Sequence, residues 1–339
     1  MLSEEAFLAV LTVDVWFIAY PHVASMYTRI AFDRASVKRY WFFLTALYPL
    51  VLVATALGTY WGGLVFLNSL YFYWQTFHYS RQSYGISRAY LRSSTSSGPI
   101  APDHLTTFVV AAFPIWGLLH RASQQQGFFY SSALYSPPVP VSVATFAGAV
   151  ALTSLGVWLY QRVQRGDFRS EAVETIDHKE SCPNKSARRP VFSGVWSARL
   201  FRERLGQSLF VLSHVAMTTV SYVGIRDITA GWLFINIWHN AQYILFVWAF
   251  NARTFRAGVD PERRLLSWLS QPSRVGIYAV VCMGLAGAIY GTLWVVTAQI
   301  TSTVLPVVMV AYLAFNFHHY IVDAVIWRSP RAQPRLDRA

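Results

Sequence analysis

The chain predicts an all-α fold: a polytopic transmembrane helix bundle of about nine helices, N-terminus outside and C-terminus cytoplasmic. Composition is the first observation, with 54% of the 339 residues hydrophobic and only 13% charged, against roughly 25% charged in soluble domains. Second, apolar runs near the twenty residues that span a bilayer recur along the whole length. Third, Lys and Arg cluster in alternate connections between those runs.

In order, the runs are Ala6 to Thr28, Tyr40 to Leu57, Tyr60 to Tyr79, Leu105 to Leu119, Val141 to Tyr160, Gln207 to Val223, Gly231 to Phe250, Val275 to Ala298 and Thr303 to Trp327. The fourth is short and the second and third nearly touch, so eight is the alternative count. With nine, one side collects 26 of the 28 Lys and Arg residues and leaves only Arg121 and Arg226 on the other. The net charge of +12 therefore reports topology, with basic loops inside, and not a nucleic-acid partner. The acidic start, Met1-Leu2-Ser3-Glu4-Glu5, leads into the first run with no small-residue cleavage site, so the first helix is expected to stay.

The whole chain, 1–339, reads as one membrane-embedded domain. Residues 161–205 form a polar, basic cytoplasmic loop between the fifth and sixth spans, and 328–339 a basic cytoplasmic tail. The end of that loop, Val195 to Arg202, has the composition of an interfacial helix. Ser136-Pro137-Pro138-Val139-Pro140 is a stiff lead into the fifth span. Cys182 and Cys282 are the only cysteines and have no paired spacing, so neither a disulfide nor a thiolate zinc site is expected.

Histidines carry the functional signal. His22, His78, His214, His239, His318 and His319 all fall inside apolar runs, where an ionisable side chain is costly and marks a candidate functional site. With the nine-span topology all lie in the cytoplasmic half. Residues three, four or seven apart share a helix face, and such spacing joins Asn68, Tyr71, Gln75 and His78; Trp232, Asn236, His239 and Tyr243; and Tyr312, Asn316, His319 and Asp323. These polar stripes must face the bundle interior, and they place His318 about 100° from His319. His214 shares a face with Gln207, Thr218 and Ser221 and is a further candidate.

Imidazole suits iron, copper, zinc and nickel, so a transition metal is expected. Asp323, Gln75, Asn236 and Asn316 are candidates to orient the ligands, and Tyr71, Tyr243, Tyr312, Tyr320 and Trp232 to line a substrate chamber. Pro21 is expected to kink the first helix and turn His22 inward. Single histidines in membrane helices also serve as hydrogen-bonding glue, and Asp14 and Asp323 also suit a proton relay.

Tyr20-Pro21-His22 closing the first span, Phe77-His78-Tyr79 closing the third, and the later helix-borne histidines resemble the Brp/Blh family. Those are multi-pass bacterial and archaeal enzymes regarded as non-haem-iron β-carotene dioxygenases. The resemblance implies a bacterial-type cytoplasmic membrane, a four-His Fe2+ centre with His22 and His78 as two ligands, O2 as co-substrate and a long apolar substrate such as a carotenoid. Val23 follows His22 where the family has glycine, and the stretch from Trp238 to Tyr243 lacks a second histidine one turn on. The remaining ligands are then expected from His239 and the His318-His319 pair. That pair also resembles one element of the membrane desaturases, whose clustered histidine boxes are otherwise absent. A haem-b electron carrier with paired axial histidines and a proton- or metal-coupled transporter remain the alternatives, with haem, zinc or copper as alternative cofactors.

Overall fold

The structure, a computed structural model, describes residues 3–92, 103–130, 132–168, 192–302 and 305–327. In chain order its main elements are α1 (Glu4–Asp14), a π-turn (Val15–Ala19), α2 (Tyr20–Ala31), α3 (Arg34–Thr45), α4 (Leu47–Arg92) and α5 (His104–Ser123). A hairpin of β1 (Phe128–Phe129) and β2 (Ser132–Ala133) follows, then α6 (Val141–Gln164), α7 (Phe192–Thr219), a second π-turn (Val220–Gly224) and α8 (Ile228–Thr254). The chain continues through α9 (Arg264–Leu269), α10 (Val275–Ala298) and α11 (Val307–Ile326). Among the described residues the fold is thus all-α apart from one short antiparallel hairpin, in a stretch that carries no strand-length pattern.

Among the described residues six helical stretches are long and apolar enough to cross a bilayer, the make-up of a multi-pass membrane protein. One of them, Arg34–Leu91, has 58 residues, about 87 Å at 1.5 Å per residue and far more than one crossing needs. It is broken at Gly63, whose φ of 66° and ψ of −168° lie in a region open essentially only to glycine. That break falls at the fourth residue of the expected third span, Tyr60 to Tyr79, and moves its start past Gly63. Leu50, Val53, Trp61, Phe146, Val280 and Trp294 project outward, as side chains facing lipid do. The expected sixth and seventh spans are helical, as parts of α7 and α8, but fall outside the six apolar stretches. In α8 the reason is its interior polar content, with Asn236, His239, Asn240 and Asn251 all buried.

Residues 192–219 form one helix, so the expected interfacial segment Val195 to Arg202 is the first part of α7 and the expected loop 161–205 ends earlier. Its central part, 169–191, and the tail 328–339 lie outside the described residues. Helix starts follow local chemistry. Asp33 accepts from the Ala35 and Ser36 amides ahead of α3, Asp227 accepts from the Ala230 amide ahead of α8 at 2.7 Å, and Pro140 immediately precedes α6.

The chain divides into two compact units. One comprises Met1–Tyr79, Gln124–Pro138 and Val220–Ala339. Its core joins α2, α8, α10 and α11 around Met26, Tyr243, Val247, Tyr278, Cys282 and Tyr290, and Cys282 carries a free thiol. The other comprises Ser80–Ser123 and Val139–Thr219. There the buried Arg162 guanidinium is held by Asp103 at 2.5 Å, Thr106 at 2.7 Å and Asp167 at 3.2 Å, so a charge that would be costly alone is paired and hydrogen-bonded.

Candidate metal centre

Four helices of the first unit each deliver one histidine to the same place. Ahead of His22, the Tyr20 amide donates to the Val15 carbonyl five residues back, and Pro21 supplies no amide of its own. The expected kink takes the form of this π-turn, a distortion common beside functional sites, and His22 is buried at 3% exposure. His78 comes from α4, His239 from α8 and His319 from α11, all buried.

Nitrogens of His22, His78 and His239 lie within 4.8 Å of one another. His319 lies against this group, its Nε2 standing 2.9 Å from His22 Nε2. Ring centroids are 4.8 Å apart for His22 and His319, 5.0 Å for His22 and His239, 5.1 Å for His78 and His319, and 5.3 Å for His78 and His239. Metal–imidazole bonds of about 2.1 Å put neighbouring ligand nitrogens about 3.0 Å apart at 90° and about 3.4 Å apart at the tetrahedral angle. The His22–His319 separation matches the first. No carboxylate belongs to the three-residue group, and an all-imidazole donor set fits a first-row transition metal and not magnesium or calcium.

No family model, curated protein or solved structure matches this chain.

Around the histidines, the stripe residues bond chiefly to one another. Trp232 Nε1 donates to Gln75 Oε1 at 2.6 Å. The Gln75 amide donates to Asn236 Oδ1 at 3.1 Å and to the Tyr79 hydroxyl, which itself donates to Asn236 Oδ1. Asn236 Nδ2 donates to Asp14 at 2.6 Å. This ladder brings the Tyr79 ring to 4.0 Å from His239, while Tyr320 stacks on His78 at 4.3 Å. Asp323, one turn beyond His319, accepts from the Tyr243 hydroxyl and from Trp327 Nε1, and the Tyr243 ring lies 4.5 Å from that of His22. Its partnership therefore runs through Tyr243. His319 Nδ1 meets the Met26 sulfur at 3.2 Å.

A cavity of about 300 Å³ opens from the histidines. It reaches from His22, His78, His239 and His319 to Asn68, Phe129, Tyr130 and Trp232 at the hairpin. On α4 alone, Asn68 to His78 covers about 15 Å. Asn68 Nδ2 donates to the carbonyls of Phe129, Ser132 and Ala133 at 3.2 to 3.3 Å, fixing the hairpin at this end. Burial pushes the Tyr130 phenol well above its ordinary pKa, so its hydroxyl stays protonated. Tyr71, Tyr312, Tyr320 and Trp232 line the cavity as expected, and Asn316, expected to orient a ligand, lines it too. Tyr243 is not among its lining residues and sits behind His22.

Two expected ligands lie elsewhere. His318 points away from the group, its Nδ1 2.8 Å from the Tyr27 hydroxyl and its Nε2 2.7 Å from the Phe43 carbonyl. Rotation by 100° from His319 is the physical reason. His214 belongs to the other unit, where its Nε2 lies 3.0 Å from the Val110 carbonyl. Sequence reading passed over Met26 and Tyr79 as site neighbours. Met26 stands one turn after His22 and Tyr79 one turn after Gln75, spacings that could have flagged both.

Proposed function

We propose that this protein is a membrane-embedded oxygenase in which His22, His78, His239 and His319 hold one non-haem iron ion and the adjoining cavity holds an apolar-chain substrate. The convergence of four buried imidazoles at the end of a cavity carries the reading. Iron is favoured over zinc because oxygen chemistry needs a redox-active ion; when bound it would activate O2 next to the chamber, with coordination positions left open by only four neutral protein ligands. The chain's own residues orient the ligands through packing of Tyr79 on His239, Tyr320 on His78 and Tyr243 on His22, with Asp323 fixing the Tyr243 hydroxyl.

A haem-b carrier is less consistent with the site. Such a carrier would hold its iron between two histidines, whereas four imidazoles crowd together here, with ring centroids 4.8 to 5.3 Å apart for four of the pairs. By the positive-inside rule the site helices run from an outer hairpin to inner histidines, because Arg29, Arg34, Lys38 and Arg39 follow His22 and Arg253 and Arg256 follow His239. The basic loops speak to orientation alone; a bacterial-type cytoplasmic membrane is proposed on the resemblance to bacterial enzymes.

The test is elemental analysis with an absorption spectrum on detergent-purified protein. Stoichiometric iron without a Soret band is expected. A Soret band would move the assignment to electron transfer, and absence of any transition metal after gentle purification would overturn it.

A further inference from the structure

We infer that the ligand of this cavity is an amphiphile of about a dozen carbons with a terminal oxygen function, an alcohol or aldehyde, whose oxygen is bound by Asn316 and Tyr320 beside the histidines. The inference rests on the reading above only in taking the cavity as the substrate chamber.

Size is the first argument. A volume of about 300 Å³ equals about ten water volumes at roughly 30 Å³ each, and the helical path from Asn68 to His78 is about 15 Å. An extended chain advances about 1.3 Å per carbon–carbon bond of 1.5 Å, so length and volume agree on roughly ten to twelve carbons. A forty-carbon polyene would extend well beyond the lined part of the cavity.

Polar bookkeeping is the second. Most polar groups on the cavity wall are already used. Asn68 holds the hairpin carbonyls, Trp232 holds Gln75, and Gln75 and Asn236 hold each other, Tyr79 and Asp14. Besides Asn240, whose Nδ2 is buried without a partner beside His239, Asn316 and Tyr320 differ. Both line the cavity, and among the described residues neither the Asn316 amide nor the Tyr320 hydroxyl has a hydrogen-bond partner. A polar group in such a site is expected to be hydrogen-bonded, and a ligand oxygen between them can accept from both. Asn316 is one turn before His319 and Tyr320 stacks on His78, so the oxygen is held at the histidine end. Toward the other end the wall offers Leu11, Val15, Phe129, Met309 and Leu313 to the chain. The Tyr130 hydroxyl is also without a partner among the described residues, but it lies on the hairpin, at the opposite end.

The experiment measures binding of tritiated 1-dodecanol and dodecane to the full-length protein in nanodiscs, with metal content determined on the same samples. Dodecanol is expected to bind saturably and about tenfold more tightly than dodecane, as two hydrogen bonds of about 0.7 kcal/mol each would give. Asn316→Leu and Tyr320→Phe should each remove about threefold of that preference and Tyr130→Phe none. The length series from eight to twenty carbons should peak near twelve. Equal binding of alcohol and alkane, or a preference unchanged in both variants while metal content is retained, overturns the inference. A preserved preference in protein that binds no metal overturns the oxygenase reading alone and leaves this one standing.

Discussion

Replacing His22 with Ala should remove the metal, and replacing His318 with Ala should not. Structural metal sites with four protein ligands are worth about 10 to 16 kcal/mol, so each ligand carries roughly 3 to 4 kcal/mol, or between about a hundredfold and a thousandfold in affinity. His22 is the member in direct contact with His319, at 2.9 Å, and its ring lies within 6.4 Å of His78. His22→Ala should therefore raise the dissociation constant at least about a hundredfold. His318 has both ring nitrogens committed to Tyr27 and the Phe43 carbonyl. His318→Ala should leave affinity within about twofold of the parent, as expected for an uncoupled site. It should nonetheless cost about 2 kcal/mol of stability for two lost hydrogen bonds. The assay is a chelator competition on purified protein, with folding checked by thermal melting. Parent-like affinity in a folded His22→Ala protein, or metal loss in a folded His318→Ala protein, would refute the assignment of ligands.

Other perturbations reach the scaffold. Gly63→Ala forces a side chain into a backbone region reserved for glycine, and a loss of about 1 to 3 kcal/mol in unfolding titrations is expected; an unchanged midpoint would show that the break is not rigid. Gln75→Leu deprives Trp232, Tyr79 and Asn236 of a partner; at about 0.6 kcal/mol per bond within a membrane the expected loss is near 2 kcal/mol, read as a lower melting temperature. In the second unit, burial raises the Asp103 pKa, but bonds from Thr106 and the nearby Arg162 outweigh it and hold the carboxyl below its ordinary value. A depressed carboxyl contributes stability that is full above its unfolded pKa near 4 and lost as pH falls through the folded value. Arg162→Gln should lower stability at neutral pH and flatten this acid-side fall, and an unaltered melting profile from pH 3 to 7 would count against the pairing.

What could be read from the sequence was whatever repeats within one helix. The stripes that carry His78, His239 and His319 obey a three- or four-residue spacing, and the same spacing set His318 about 100° from His319, though both stayed candidate ligands. Contacts between helices depend on the rotation and depth of one against another, which no single period encodes. Asp14 with Asn236, Tyr79 with His239 and Tyr243 with Asp323 emerge only from the packed unit. His214 shows the converse, since its helix carries a polar stripe as clear as the others yet serves a different core. Gly63 stands beside Gly62 in an apolar run where either residue could turn, and only the backbone shows which one does.

The first unit is assembled from three separated stretches of chain, and its two touching imidazoles are 297 residues apart in sequence. During synthesis at about 5 to 20 residues per second, His22 therefore waits roughly 15 to 60 seconds for His319 to be made. Until α11 inserts, the three earlier histidines stand with one side of their pocket missing. If the proposed iron binds here, its acquisition is then a late event in biogenesis, and a chain stalled before α11 should be recovered from the membrane without metal.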